Sequence, residues 1–389
     1  MAAATLGAGV LSLPYAVAVS GIGFALFQLM VATLLTMYTI RLLIKCGEKT
    51  GLYSYEDLAL YCFGSKMALF VELNILIFCF GISVAYLVTL GDILAPLGKE
   101  IFGNGILSQR WFLMSLFSTV IMLPLSLLRD ISSLQFSSIL GVFSILFLVV
   151  AVSIRSMYII SEHGIAPDIH WGINRSHGMN FFLSVPIVMF AFTCQVNVFS
   201  IYTELQRPCI RRMNKVADRA TFISLLFYLT IGIVAYLALG NSLVDPALRG
   251  NILLSFPQND KLIAASRAAI IFSVAVAFPL NIFPCRFTLE MMFFANAPYS
   301  LWRNVWLTTS LVGMALLLAI FCPSINLIFG IIGGSCSSIV CFCLPAAYVL
   351  RIQEGPSTSS SKRKALLLLC GAIIIGVVST IITIQSSLF

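Results

Sequence analysis

Charge is what this 389-residue chain has least of. Only 10% of its residues are Asp, Glu, Lys or Arg, where a soluble domain carries about 25%, and that scarcity excludes an ordinary water-soluble fold. Histidine is scarcer still: His163, His170 and His177 are the only three, and all fall in one loop. No glycine-rich phosphate loop, P-loop lysine, zinc motif or nucleophile–base–acid set occurs, which excludes intramembrane histidine chemistry and argues against an enzyme. Gly164, Pro167 and Gly178 break any helix that would align the histidines, so neither a metal site nor another cofactor is expected. The eleven cysteines lie largely inside apolar runs (Cys79, Cys194, Cys341, Cys343, Cys370) with no regular spacing. They read as small apolar packing, not as a disulfide framework. No Lys or Arg precedes the first apolar run, so the opening lacks the basic region of a secretory signal.

What the chain has instead is apolar length. Hydrophobic residues make up 60% of it, thirty of them phenylalanine, and the mean hydropathy is +1.02. Such a chain has lipid as its main solvent. Its apolar runs predict an all-α polytopic membrane protein with about eleven transmembrane helices, near 2–20, 22–44, 67–93, 111–128, 136–160, 179–203, 219–239, 261–285, 302–321, 324–350 and 365–387. One transmembrane domain then takes up residues 1–389. The net charge of +8 is spread over short loops, so it marks topology and no nucleic-acid partner is expected. With the amino terminus in the cytosol, sixteen Lys and Arg fall in cytosolic loops. Six (Lys99, Arg110, Arg155, Arg175, Arg249, Lys261) fall on the other side, which puts the carboxyl terminus outside or in a lumen. The lone sequon, Asn174-Arg175-Ser176, lies in the non-cytosolic loop 161–178 and makes Asn174 a glycosylation candidate.

Two spans carry interruptions. The first reads TLGAGVLSLP, with Gly7 and Gly9 about Ala8 and Pro14 following, residues that weaken a helix interior. The sixth reads MNFFLSVPIVMFAFTCQVNVFSIYTEL, with Pro186 early and Thr193, Cys194, Gln195 and Asn197 at mid-depth. Membrane backbone opens only where protein or a water-filled cavity meets the freed groups. A helix broken at the midplane offers N–H groups to an anion and carbonyls to a cation, and a zwitterionic amino acid needs both. Ordinary interhelical hydrogen bonding would account for the polar residues of span six alone. Together with the break in span one, inverted repeats of five helices are the better account.

The stretches TLGAGVLSLPYA, FAFTCQVNVFSIYTEL, RRMNKVADRA, GNILLSFP and FPLNIFPCRFTLE resemble the amino acid/auxin permease family of the amino acid–polyamine–organocation superfamily. Within it they are most similar to the vacuolar-type and sodium-coupled neutral amino acid transporters. The resemblance runs from Thr5 to about the eleventh span and implies a leucine-transporter-like 5+5 inverted repeat with broken helices 1 and 6. Repeat one would cover about 1–160, repeat two about 179–350, and 365–387 would be an extra helix. It further implies symport or exchange of amino acids, with the backbone of Thr5, Leu6, Gly7, Ala8, Gly9 and Val10 holding the substrate and Thr193, Cys194 and Gln195 forming the facing wall. Only six residues precede Gly7, where a half-helix crossing about 15 Å of hydrocarbon needs around ten. An N-terminal half-helix and tail are therefore expected to be missing from this chain.

Coupling by H+ or Na+ is left open by the residues. Glu72 is a candidate proton carrier, and Ser266 and Ser273 in span eight are candidate sodium ligands. Glu204 is expected to pair with the basic loop 207–219, and Arg267 with an acid near the outer mouth. A polar pocket about Thr193 and Cys194 favours neutral substrates, while Glu72 keeps a facilitative exchanger of cationic amino acids in play. An amino acid sensor using the same fold is the rival class. No protein partner is inferred, and the membrane would be the plasma membrane or a vacuolar or lysosomal one.

Overall fold

The computed structural model describes residues 1–128, 135–174, 178–294, 297–298, 300–322, 324–353 and 359–388. Its helices in chain order are α1 (Ala2–Thr5), α2 (Ala8–Ser20), α3 (Ile22–Thr50), α4 (Tyr55–Phe63), α5 (Ser65–Phe102), α6 (Arg110–Ser126) and α7 (Gln135–His163), then α8 (Ser184–Ala191), α9 (Val198–Thr203), α10 (Ile210–Leu239), α11 (Lys261–Phe294), α12 (Leu301–Phe321), α13 (Ile325–Ile352) and α14 (Ser360–Leu388). Nine segments among the described residues are long and apolar enough to cross a bilayer, counting Phe181–Thr203 as one. The shorter apolar helices α2 and α6 bring the number to the expected eleven.

Local chemistry sets the ends of these elements. Helix α3 stops at Gly51, whose φ of 73° gives the left-handed cap that terminates helices cheaply. Helix α4 starts where the Ser54 hydroxyl accepts the Asp57 N–H. Pro14 sits at the start of the α-helical part of α2, where its missing N–H costs nothing.

Helix α10 packs against α2, α3 and α7, and α11 against α5 and α7. These long helices form a frame around the short pieces α1, α2, α8 and α9. Helix α14 lies at the periphery against α13, with only 22% of its apolar window buried. In lipid such packing rests on close van der Waals fit more than on a hydrophobic gradient.

The ion pairs sort to two ends of the bundle. Arg41–Asp218 (2.7 Å) and Arg303–Glu290 (3.2 Å) join residues of the basic end. At the opposite end the Asp92 carboxylate holds both Arg110 (3.0 Å) and Arg249 (3.1 Å), and Asp260 holds Arg155. A chain of short 3₁₀ turns over 240–255 covers this second end. It is tied down by the Ser12 hydroxyl donating to Gly250 O (3.0 Å) and by Asn241 N–H donating to Asp168 (2.6 Å).

Candidate functional site

Both expected breaks are present and they lie against each other. The first separates α1 from α2 at Leu6–Gly7, and the helix resumes as a 3₁₀ turn over Ala8–Ser12. The second separates α8 from α9 at 192–194, followed by a 3₁₀ turn over Gln195–Asn197. A Cβ placed on Gly9 would stand 3.1 Å from Ala191 Cα and 3.2 Å from Ala191 Cβ. Gly9 is thus the point of close approach, where a side chain would press on the backbone of Ala191. Gly7 is different: its backbone is extended (φ −115°, ψ −161°) and a Cβ there would meet nothing within 4 Å.

That open space belongs to a cavity of about 780 Å³. Leu6, Gly7, Ala8 and Val10 line it from the first break, and Thr193, Val196, Asn197 and Ser200 from the second. Helix α5 contributes Tyr86, α11 contributes Ser273 and Asn281, and Gly141 of α7 leaves room beside Ser273. Among the described residues no Lys, Arg or His side chain lines the cavity, whereas Glu56 and Glu204 do. Its lining runs to exposed residues such as Glu204 and Phe287 at the basic end, and no residue of 240–256 takes part. The cavity is therefore open toward the basic end and closed toward the 240–256 cover.

Polar side chains of the lining include Tyr53, Tyr86, Thr193, Asn197, Ser200 and Asn281, and the backbone of the first break stands beside them. The N–H groups of Ala8 and Gly9 precede the first bond of their helix, Val10 N–H to Gly7 O (3.3 Å), and have no backbone partner among the described residues. They carry the positive end of the α2 dipole.

Several expected site residues stand elsewhere. Of the nine expected to bind substrate, Leu6, Gly7, Ala8, Val10 and Thr193 line the cavity, while Thr5, Gly9, Cys194 and Gln195 lie behind it. Cys194 packs with Ile40, Ile44 and Met213. Gln195, fully buried, accepts from its neighbour Cys194 N–H (2.9 Å) and donates to Thr39 (3.2 Å), pinning the second break to α3. Its polarity serves the frame, a correction to its reading as cavity wall. Of the coupling candidates, Ser273 lines the cavity and Glu72 does not. Ser266 is buried and donates to Leu262 O (3.1 Å), away from the cavity. Glu204 faces the cavity mouth, and neither it nor Arg267 forms an ion pair among the described residues, though Asp260 and Glu100 lie close enough to act on Arg267. Arg267 donates instead to Leu253 O (2.8 Å) and Phe256 O (2.9 Å), bracing the cover. Asn174 is 3% exposed and its Nδ2 donates to Ala18 O (2.9 Å), which argues against a glycan there. Arg175, Ser176 and His177 lie outside the described residues.

Sequence reasoning missed Tyr86, Asn281, Tyr53 and Glu56. Asn281 could have been found as an amide inside an apolar span, FPLNIFP, where polar groups mark functional faces. Tyr86 lines the same cavity.

Solved structures share this arrangement. MhsT in complex with L-phenylalanine matches over 98% of this chain and 97% of its own, with a TM-score of 0.63 and 14% identity. A manganese transporter from Eremococcus coleocola matches over 97% and 84%, with a TM-score of 0.60 and 13% identity. A Na+-coupled sialic acid symporter in a substrate-bound outward-open state matches over 100% and 88%, with a TM-score of 0.55 and 14% identity. At such identities the likeness is one of fold, and it is the leucine-transporter-like fold that the resemblance implied. The family described as "Transmembrane amino acid transporter protein" matches residues 1–389. With the family pattern running the whole length and the two broken helices meeting at one cavity, the chain belongs to the transmembrane amino acid transporter family.

Proposed function

We propose that this chain is a secondary transporter of neutral amino acids working by alternating access. One observation carries the reading: two helix breaks meet at a cavity of about 780 Å³, lined by Ala8 with its unpaired backbone N–H and, among the described residues, by no basic side chain. In this reading the substrate carboxylate is held by the N–H groups at the start of α2, where the helix dipole favours an anion. The ammonium faces the Thr193 hydroxyl, which lines the cavity across from the first break. With no Lys, Arg or His among the described lining residues, the cavity has no basic side chain to balance a second substrate carboxylate. Glu56 and Glu204 at the mouth further disfavour acidic substrates.

By the positive-inside bias the open mouth faces the cytosol, and the 240–256 cover, with Asp92 between its two arginines, closes the opposite side. The membrane is the plasma membrane or a vacuolar or lysosomal one, and the coupling ion is H+ or Na+. Ser273 is the one of the three coupling candidates that faces the cavity.

The test is uptake of a labelled amino acid mixture into proteoliposomes under an inward pH gradient, an inward Na+ gradient, or neither. Concentrative uptake of neutral amino acids under one gradient supports the reading and names the ion. Absence of uptake under all three conditions overturns it.

A further inference from the structure

Among the described residues no cavity-facing side chain hydrogen-bonds one break to the other. The connection lies behind it, at Tyr228 of α10. This residue is fully buried, and its hydroxyl oxygen lies 2.7 Å from Thr5 O and 2.7 Å from Ala191 O. Thr5 ends α1 and Ala191 ends α8, so both acceptors are helix-terminal carbonyls with no further turn to satisfy them. They carry the negative ends of two half-helix dipoles, which repel when brought together. A tyrosine hydroxyl has one proton to donate, and here it serves both oxygens from one point. The ring is fixed edge-on against Phe192 of the second break, with centroids 5.1 Å apart at 86°. Tyr228 does not line the cavity.

We propose that Tyr228 is a positioning residue that couples the two breaks, so that the first and second half-helices open and close as one unit hinged on α10. Thr5 O also accepts from Gly7 N–H (3.0 Å), so the Tyr228 proton reaches within two residues of Ala8. Gly9 against Ala191 forms the second contact of the same joint. Because the joint is closed by a neutral hydroxyl, two converging carbonyls are held together without a cation between them. The inference rests on the transport reading only for its effect on substrate, since the joint is a property of the fold.

The experiment is hydrogen–deuterium exchange of the full chain in lipid nanodiscs, comparing wild type with Tyr228→Phe, which removes only the hydroxyl. The bonded amides of Leu6, Gly7 and Val10 in one break and of Phe192 and Thr193 in the other are expected to exchange about tenfold faster together, the loss of one buried hydrogen bond. Helix α12 is expected to be unchanged, which a merely structural loosening would not give. Faster exchange in one break alone, or in neither, overturns the proposal. If Tyr228→Phe does not fold, wild type decides: amides of the two breaks open with one common rate if they are coupled, and two independent rates overturn the coupling. Uptake by the Phe variant is expected to show a KM about tenfold higher with a Vmax close to wild type, as misplaced binding groups require. A wild type that carries no amino acid would sink the transport reading and leave the exchange result standing.

Discussion

Gly7 and Gly9 are two residues apart and look interchangeable in sequence, yet the structure gives them opposite jobs. A methyl on Gly9 would stand 3.1–3.2 Å from the Cα and Cβ of Ala191 and 3.5 Å from a ring carbon of Phe190. Carbon atoms prefer about 3.5–4.0 Å, and the nearest obstacle is backbone, which cannot rotate away. Overpacking of this kind costs about 1–3 kcal/mol, so Gly9→Ala is expected to lower the thermal midpoint in nanodiscs by several degrees, and Gly9→Val by more. A methyl on Gly7 meets nothing within 4 Å, on an extended backbone that any residue adopts. Gly7→Ala is expected to fold as well as wild type, or slightly better through a less flexible unfolded chain. Gly7→Val also folds, but its side chain occupies the cavity beside Ala8. If it blocks two charge-assisted bonds to the carboxylate at about 1.5 kcal/mol each, the loss of about 3 kcal/mol is roughly a hundredfold in apparent affinity. The paired assay is thermal unfolding and uptake for the four variants. Wild-type uptake by Gly7→Val with an unchanged KM refutes the carboxylate assignment. A Gly9→Ala protein as stable as wild type refutes the packing argument.

Three further outcomes are expected. Asp92→Asn leaves two guanidiniums without their shared carboxylate, whose side chain is fully buried; removing one partner of a buried ion pair costs about 3–5 kcal/mol, and the partial exposure of Arg110 and Arg249 puts the loss at the low end, to be read as a lowered thermal midpoint. Gln195→Ala cuts the tie from the second break to Thr39, and is expected to cost about 1–3 kcal/mol in denaturation while leaving the cavity lining unchanged. At the covered end, burial raises the Asp260 carboxyl, but the Arg155 guanidinium and the N–H groups of Ile263 and Leu262 outweigh it and hold it below the usual carboxylate range. A depressed pKa contributes stability above the unfolded value of about 4 and loses it as pH falls through the folded value. The stability gap between wild type and Arg155→Gln is therefore expected to be constant at neutral pH and to close below about pH 4, and a gap that widens on acidification would contradict the pairing.

The eleven spans were legible because lipid tolerates no ambiguity: each must be an apolar run of a fixed minimum length. The breaks were legible because Gly7, Gly9 and Pro186 contradict the runs around them. What the sequence could not show was phase. Thr193, Val196, Asn197, Ser200, Ile201 and Glu204 line the cavity, a stripe at spacings of three and four that any helix would present. Which of the four polar residues at 193–197 belonged to that stripe depended on how far the chain turned through the break, and sequence gives no torsion angle there. Cys194 and Gln195 were consequently assigned to the cavity when they face α3. The nine-residue helix α4 escaped notice because it is too short and too mixed to register among membrane spans, yet its first turn brings Glu56 to the mouth.

The division of labour at the site follows from the same physics. A carboxylate common to every amino acid is best met by groups common to every residue, and backbone N–H groups at a helix start are such groups. In the proposed transporter the side chains at the first break then need only be small, as Gly7 and Ala8 are, and no arginine is required. Selectivity has to come from the frame, where the cavity wall changes character: Ile75, Phe78 and Ile82 of α5 give way to Tyr86, and α11 brings Asn281 toward it. An amide and a phenol facing one cavity favour a substrate side chain that can fill the space and hydrogen-bond at its end over a purely aliphatic one. Truncation isolates that contribution. In the proposed transporter, Asn281→Leu is expected to weaken polar neutral substrates relative to leucine by about tenfold, the worth of one buried hydrogen bond, in competition uptake. An unchanged ratio would move the selectivity determinant to another part of the wall.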